Sequence, residues 1–442
     1  MALKQLTAVA ALNEAAGKVI EASVCEAQGA YLALVETEAG KRLAWAAQGE
    51  SALSKLWKDV EKEADVKDVH VAVMAMNANN AALVRRLVKW AAPTACGTKG
   101  ASVGFSDWLG AADAVVTDLF AKRQLKPVLV DFTPEDSAAI GRNFLEAVDT
   151  ATWGVLEKGY KEGYGANAAG LKSEEEIVKA LLYGYSMIGF DCSDKINLSI
   201  EKLSDEAVEK RFEQFNETFR AALHASYLNA EFKVGTNKIT FTENQLHRIV
   251  LEYGEAIMHV QFIYNSYLKN TPWDIDFELD LSKPGKVLTP QEHYLIGNEL
   301  QRNGIKLAAI CLDPLKDAEA LQENLQLHCE IADTFGYRLS FANADIAMTD
   351  TAAAMKYLKG KAHFKMNNIL WMSAVKLVQA LDADLFGKLC AVCGCEAVDG
   401  AVCGRMENGR ALALGYRKAL DVKVEGNVAE AMKAFLAAHH DE

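Results

Sequence analysis

The chain has 442 residues, half of them hydrophobic and 24% charged, the balance of a soluble globular protein with one large core and room for an added layer. Its formal net charge of −13 argues against nucleic acid or an anionic membrane as the main partner, since no basic field draws either. No run reaches the roughly 18 apolar residues that a membrane span needs.

The N-terminus, MALKQLTAVAALNEAAGKVIEA, has the length of a signal peptide, but Glu14 and Lys18 interrupt its apolar stretch. It reads as an amphipathic helix of a mature cytoplasmic protein. Residues 1–100 read as an α/β layer that packs on the rest of the chain: a helical pattern, the apolar run Val69–Met76, then a second helical stretch, AALVRRLVKWAA.

From Ser102 onward the rhythm changes. The short apolar runs ASVGFS, KPVLVDF, MIGFDC, IDFELDL, IKLAAICL, RLSFAN and AHFKMN alternate with amphipathic helical stretches, the pattern of parallel strands joined by crossover helices. Thr133-Pro134, Thr289-Pro290 and Asp313-Pro314 each set a capping side chain before a proline at the first helical position. Thr289 adds a capping box with Glu292, and Gly336 stops the helix opened by Pro314. Between the third and fourth of these runs, about 200–270, lies a helical insertion. One of its helices carries Val208, Phe212, Phe215, Phe219 and Leu223, and the next opens with Thr242 and Gln245.

Residues 101–442 therefore read as an elaborated (β/α)8 TIM-type barrel, with an open doubly wound sheet as the alternative; no glycine-rich nucleotide loop follows any strand. Barrel chemistry sits at the carboxyl ends of strands. Those positions are Asp107, Asp131, Asp191, the Ser282–Lys283 loop, Asp313, Asn343, Asp345 and the run Lys365, Met366, Asn367, Asn368. Nine scattered cysteines suggest reduced thiols. Cys390, Cys393, Cys395 and Cys403 lie close enough for a structural zinc, but their C-x-x-C-x-C spacing is not two clean knuckles, and plain thiols in a small-residue loop is the other reading.

One segment fits no simple rule: ATWGVLEKGYKEGYGANAAGLKS, from Ala151, followed by GYSMIGFDCSD from Gly184. These strings resemble the tagaturonate (fructuronate) epimerase family. GFSDWLG, DFELDLSKPGKVLTPQEHYLIGNELQRNGIKLAAICL, IADTFGYRLSF and GKAHFKMNNILWMSAVK match the family in the same order, over roughly residues 100–395. The resemblance implies a metal-dependent barrel enzyme that interconverts D-fructuronate and D-tagaturonate. The inverted carbon lies one bond beyond the position next to the ketone, so simple enolisation does not reach it; retro-aldol cleavage and re-addition does. That calls for a Lewis-acid metal, a base and groups that hold the carboxylate.

Carried over position by position, the resemblance places three metal-binding histidines. One falls near Val116 and one at Ala342, where this chain has no histidine; the third matches His363, with Asp345 or Asp313 as a substitute ligand. The family's acidic loop is here Ser282-Lys283-Pro284-Gly285-Lys286, which is basic. His224, His247, His259, His293 and His328 fall inside predicted helices rather than at strand ends. The resemblance leaves Asp107, Asp191, Lys283, Lys365, Asn367 and Asn368 as sugar-acid contacts, and Trp153, Gly154, Gly163, Tyr164 and Gly165 as a lid or floor over the barrel mouth. Two functions are open on these residues: a keto-hexuronate isomerase, or a non-catalytic paralogue that binds a sugar acid or serves a structural role.

Overall fold

The segments AYLALVET and GKRLAWAAQ, each buried in a continuous run, form the centre of a sheet. The computed structural model describes residues 3–390 except 50–53, 108–109, 111–112, 122–124, 282–287, 313, 343, 345–355, 358, 367–378, 381–382, 385 and 388–389. Its N-terminal part is a six-stranded antiparallel sheet of β1 (Lys18–Val19), β2 (Cys25–Ala27), β3 (Ala30–Thr37), β4 (Gly40–Gln48), β5 (Val60–Val66) and β6 (Val69–Met74). Leu32, Leu34, Leu43 and Trp45 face helices Ala78–Leu87 and Phe144–Lys158. Ala33, Val35, Ala44 and Ala46 face helix Gln5–Ala15. Because both faces are covered there, β3 and β4 lack the polar alternate positions that would have marked them.

The barrel strands are β7 (Ser102–Phe105), β8 (Lys126–Phe132), β9 (Gly165–Leu171) and β10 (Met187–Asp191), then, after the hairpin β11 (Phe232–Val234) and β12 (Asn237–Ile239), β13 (Asp276–Asp280), β14 (Ala309–Leu312), β15 (Arg338–Phe341) and β16 (His363–Met366). They close in the order β10-β13-β14-β15-β16-β7-β8-β9, with every pair parallel. β16 pairs with β7, His363 opposite Ser102, which removes the open-sheet alternative.

The eighth strand is the surprise. β9 reads GANAAGL, poor in β-formers, and lies inside the segment that the sequence suggested as a lid. Tertiary context overrides propensity: Ala166 and Ala168 pack in the helix-covered core while Asn167 is fully buried on the other side. Gly165 is required by space, since a Cβ there would sit 2.9 Å from Val128 Cγ2 and 3.0 Å from Cys96 Sγ. Trp153 and Gly154 belong to the crossover helix Phe144–Lys158. Trp153 packs into the core shared with the N-terminal sheet. Tyr164 is buried and donates from its hydroxyl to the Ala91 carbonyl, 2.9 Å. Trp153 and Tyr164 therefore help dock one layer on the other.

The caps behave as their chemistry demands. Thr133, Asn143, Ser173, Thr242 and Thr289 each accept from the N–H three residues on, with the partner side chain returning the bond. Gly336 takes φ +79° after helix Pro314–Phe335. The aromatic stripe at 208–223 is two helices, not one: Asp205–Phe212 and Glu217–Tyr227, separated where Asn216 accepts from the Phe219 N–H at 2.8 Å and starts a new helix. Among the described residues no helix is long and apolar enough to cross a membrane.

Candidate active site

Strands of a closed barrel alternate between a face under the helices and a face toward the lumen. On β13, Phe277 and Leu279 join the helix-covered core, while Asp276 and Glu278 are buried and acidic. Their partners show the direction. Glu278 Oε1 accepts from Lys365 Nζ of β16, and two strands lie between β13 and β16, so the bond crosses the lumen. Arg338 of β15 reaches over β16 to Ser102 of β7, Nη1 to Oγ 2.7 Å.

The lumen has two polar tiers. Nearer the strands' N-terminal ends, Asp276 accepts from the N–H groups of Cys96 at 2.7 Å and Gly97 at 3.0 Å. Arg338 Nη2 lies 3.9 Å from Asp276 Oδ2, and Ser102 Oγ lies 2.8 Å from His363 Nδ1. Farther along, Asn167 Nδ2 donates to Asp131 Oδ1 at 2.9 Å beside the Lys365–Glu278 pair. Two glycines keep this tier open. A Cβ on Gly104 would sit 2.8 Å from Asp131 Oδ2 and 3.2 Å from His363 Cε1. One on Gly189 would sit 3.2 Å from Glu278 Oε1 and 3.3 Å from Asn167 Oδ1.

Asp131 Oδ2, Asn167 Oδ1, Glu278 Oε2, Ser340 Oγ and His363 Nε2 are buried and lack a hydrogen-bond partner among the described residues. Folded proteins rarely leave such atoms orphaned. Five of them on inward strand positions of one barrel are the complement of a polar ligand.

The electrostatics are uneven. Burial pushes the Asp131 carboxyl up to about 6; Lys365 and the Asn167 hydrogen bond oppose that rise, while Glu278 adds to it. Burial alone would depress the Lys365 ammonium, but Cys311, Glu278, Asp131 and Asp280 outweigh it and hold the amine charged. His363 is driven well below its ordinary value by burial, then by Arg338 and Lys365, so its imidazole is neutral.

Of the residues singled out by sequence, Asp131, His363 and Lys365 stand in the lumen. Asp107 lies just past β7 and works in a turn: its Oδ1 accepts from the Gly110 N–H at 2.9 Å, and its carbonyl accepts from Arg142. Asp191 ends β10, accepts from the Ser193 N–H at 2.7 Å and shares Lys172 with Asp194, at 3.4 and 3.3 Å. Val116 is buried in helix Asp113–Phe120, and Ala342 comes directly after β15. Lys283, Asp345, Asn367, Asn368, Cys393, Cys395 and Cys403 lie outside the described residues; Cys390 is a half-buried free thiol. Sequence reasoning missed Glu278, Asn167, Arg338, Ser340 and Ser102. The signal was present in the runs I-D-F-E-L-D-L, R-L-S-F and H-F-K-M: in a barrel whose outer face is apolar, period-two polar residues mark the lumen.

The divalent cation that the resemblance implies needs about three protein ligand atoms converging on one point. Among the described residues the lumen gathers no such trio of His, Cys, Asp or Glu, and Glu278 is already held by an ammonium. The described lumen residues do not by themselves fit such an ion. The chemistry open to them is proton transfer and charge stabilisation.

The molecule is thus a (β/α)8 barrel with a charged, partly unsatisfied lumen and an antiparallel sheet docked on its flank. It belongs to the tagaturonate epimerase family, whose sequence profile matches residues 20–401, so the family's pattern includes the N-terminal sheet as well as the barrel. The tagaturonate/fructuronate epimerase of Thermotoga maritima is 27% identical over 383 residues, which span 84% of this chain and 78% of that protein. The fold also matches crystal structures of the fructuronate–tagaturonate epimerase of Cohnella laeviribosi. A form complexed with two glycerols gives a TM-score of 0.87 at 22% identity over all of both chains, and the native form 0.82 at 23% over 98% of each.

Proposed function

We propose that this chain epimerises a keto-hexuronate in the barrel lumen, with Asp131 as the group that moves the proton. The observation that carries this reading is Asp131 itself: a buried carboxyl titrating near 6, with Oδ2 unpartnered and facing the space kept open by Gly104. A base with a value near the working pH is well matched to proton transfer. Asp131 removes the proton from the hydroxyl on the carbon to be inverted, the carbon–carbon bond next to it breaks, and negative charge develops on the ketone side. Re-addition to the other face returns that proton. Asn167 fixes the Asp131 carboxyl, and the Lys365 ammonium faces the charge that builds in the lumen. Family membership and the 27% identical relative support the substrate class.

A second reading, binding without turnover, is favoured by Val116 and Ala342 standing where the resemblance implies histidines. One paired experiment separates the two. An NMR time course on fructuronate, with and without added manganese, nickel or zinc, follows turnover, and calorimetry follows binding. We expect turnover, with kcat reduced about 10²–10⁴-fold in Asp131→Asn. Binding without conversion in the unaltered chain would establish the second reading instead.

A further inference from the structure

We propose that the helical insertion carries a divalent-cation site, of zinc type, formed by His224, Glu243 and His247. Their ligand atoms all lie within 4.8 Å of one another, remote in sequence from the barrel strands. His224 comes from helix Glu217–Tyr227; Glu243 and His247 are four apart on helix Glu243–Ile263 and so share one face. The two imidazoles present Nε2 to Nε2 at 2.8 Å, and Glu243 Oε1 lies 4.0 Å from His224 Nε2. Two imidazole nitrogens and a carboxylate oxygen are a borderline-soft donor set that suits zinc, with outer positions left to water.

The inner half of the site is already organised. His247 is fully buried, its Nδ1 is 2.8 Å from Glu209 Oε2, and its ring stacks on Phe212 at 3.6 Å between centroids. With Nδ1–H donated to Glu209, the Nε2 lone pair points at His224. A carboxylate that orients the remote nitrogen of an imidazole is the arrangement metal-binding histidines use. A single hydrogen bond from His224 Nε2–H to that lone pair would also set the 2.8 Å spacing. It would leave unexplained why a carboxylate opens onto the same point. The cation replaces the shared proton and ties the two helices together.

The test uses the full chain. Zinc content after equilibration and the absorption spectrum of the cobalt(II)-loaded protein are compared between the unaltered protein and His224→Ala, Glu243→Gln and Glu209→Gln. The comparison is differential, so zinc held elsewhere, at thiols or in the barrel, cancels. We expect the unaltered chain to hold one more zinc than His224→Ala. The lost cobalt bands should be those of nitrogen and oxygen ligands. Glu209→Gln should bind the metal about 10–100-fold more weakly. If His224→Ala does not fold, Glu243→Gln, altered at a side chain 62% exposed, carries the same comparison. Equal zinc content and identical cobalt spectra in the unaltered chain and the folded variants would overturn the proposal. Neither readout depends on turnover in the lumen.

Discussion

Asp131 concentrates the residue-scale physics of this protein. A carboxyl that titrates near 3.8 in the open chain and about 6 in the fold keeps its proton about two pH units higher than an exposed one. That difference corresponds to roughly 3 kcal/mol. Linkage sets the sign. Below about pH 4 both states are protonated and nothing is lost, and as pH rises from there through 6 the folded state bears the cost of a buried charge. Asp131→Asn should therefore be nearly neutral at pH 4 and more stable than the unaltered chain at pH 8, by up to about 3 kcal/mol. Melting temperatures at both pH values check this; a gap that shrinks with rising pH would contradict it. If Asp131 is the base, kcat/KM should climb through a limb near pH 6 and then level off.

At the scale of elements, two glycines in helices separate propensity from packing. Gly154 sits in helix Phe144–Lys158 where a Cβ would lie 2.8 Å from Asp113 Cβ and 2.9 Å from the Ala114 backbone nitrogen. Gly254 sits in helix Glu243–Ile263 with nothing within 4 Å. Alanine improves helix propensity by about 1 kcal/mol at either place. At Gly154 overpacking against backbone wins, and Gly154→Ala should cost about 1–3 kcal/mol net. Gly254→Ala should gain about 0.5–1 kcal/mol. Urea denaturation of the pair decides, because a gain at both sites would mean helices Asp113–Phe120 and Phe144–Lys158 can move apart freely.

For the molecule as a whole, the interface between sheet and barrel is as much core as contact. Trp153 and Leu156 of the barrel share one apolar cluster with Leu32, Trp45 and Met74 of the sheet. Arg85 adds a hydrogen-bonded ion pair to Asp149 at 2.7 Å and a bond to Thr152 at 3.0 Å. Trp153→Ala should cost about 3–5 kcal/mol, since it empties a cavity in that shared core. Lys41→Ala removes a half-exposed pair with Glu157, 2.7 Å apart, and should cost less than about 1 kcal/mol. Comparable losses from the two would show that the layers are held by surface charge rather than by burial.

Local rules were enough for the strand–cap–helix rhythm. Thr133, Thr289, Gly336 and the runs KPVLVDF and AHFKMN carry their structural meaning in neighbouring residues, through capping chemistry and period-two alternation. The ordered motifs from Gly104 to Lys376 likewise marked the family. Three things needed the tertiary structure. The strand GANAAGL is made by the barrel around it, because Gly165 fits against Val128 and Cys96 where no local preference would put a strand. The central strands β3 and β4 of the N-terminal sheet are buried on both faces, which erases their polar alternation. The lumen's charges acquire their chemistry from partners far away in the chain, Glu278 from Lys365 and Asp131 from Asn167. Burial and closure bring those groups together and take them out of water, and neither is a property of any stretch of sequence read alone.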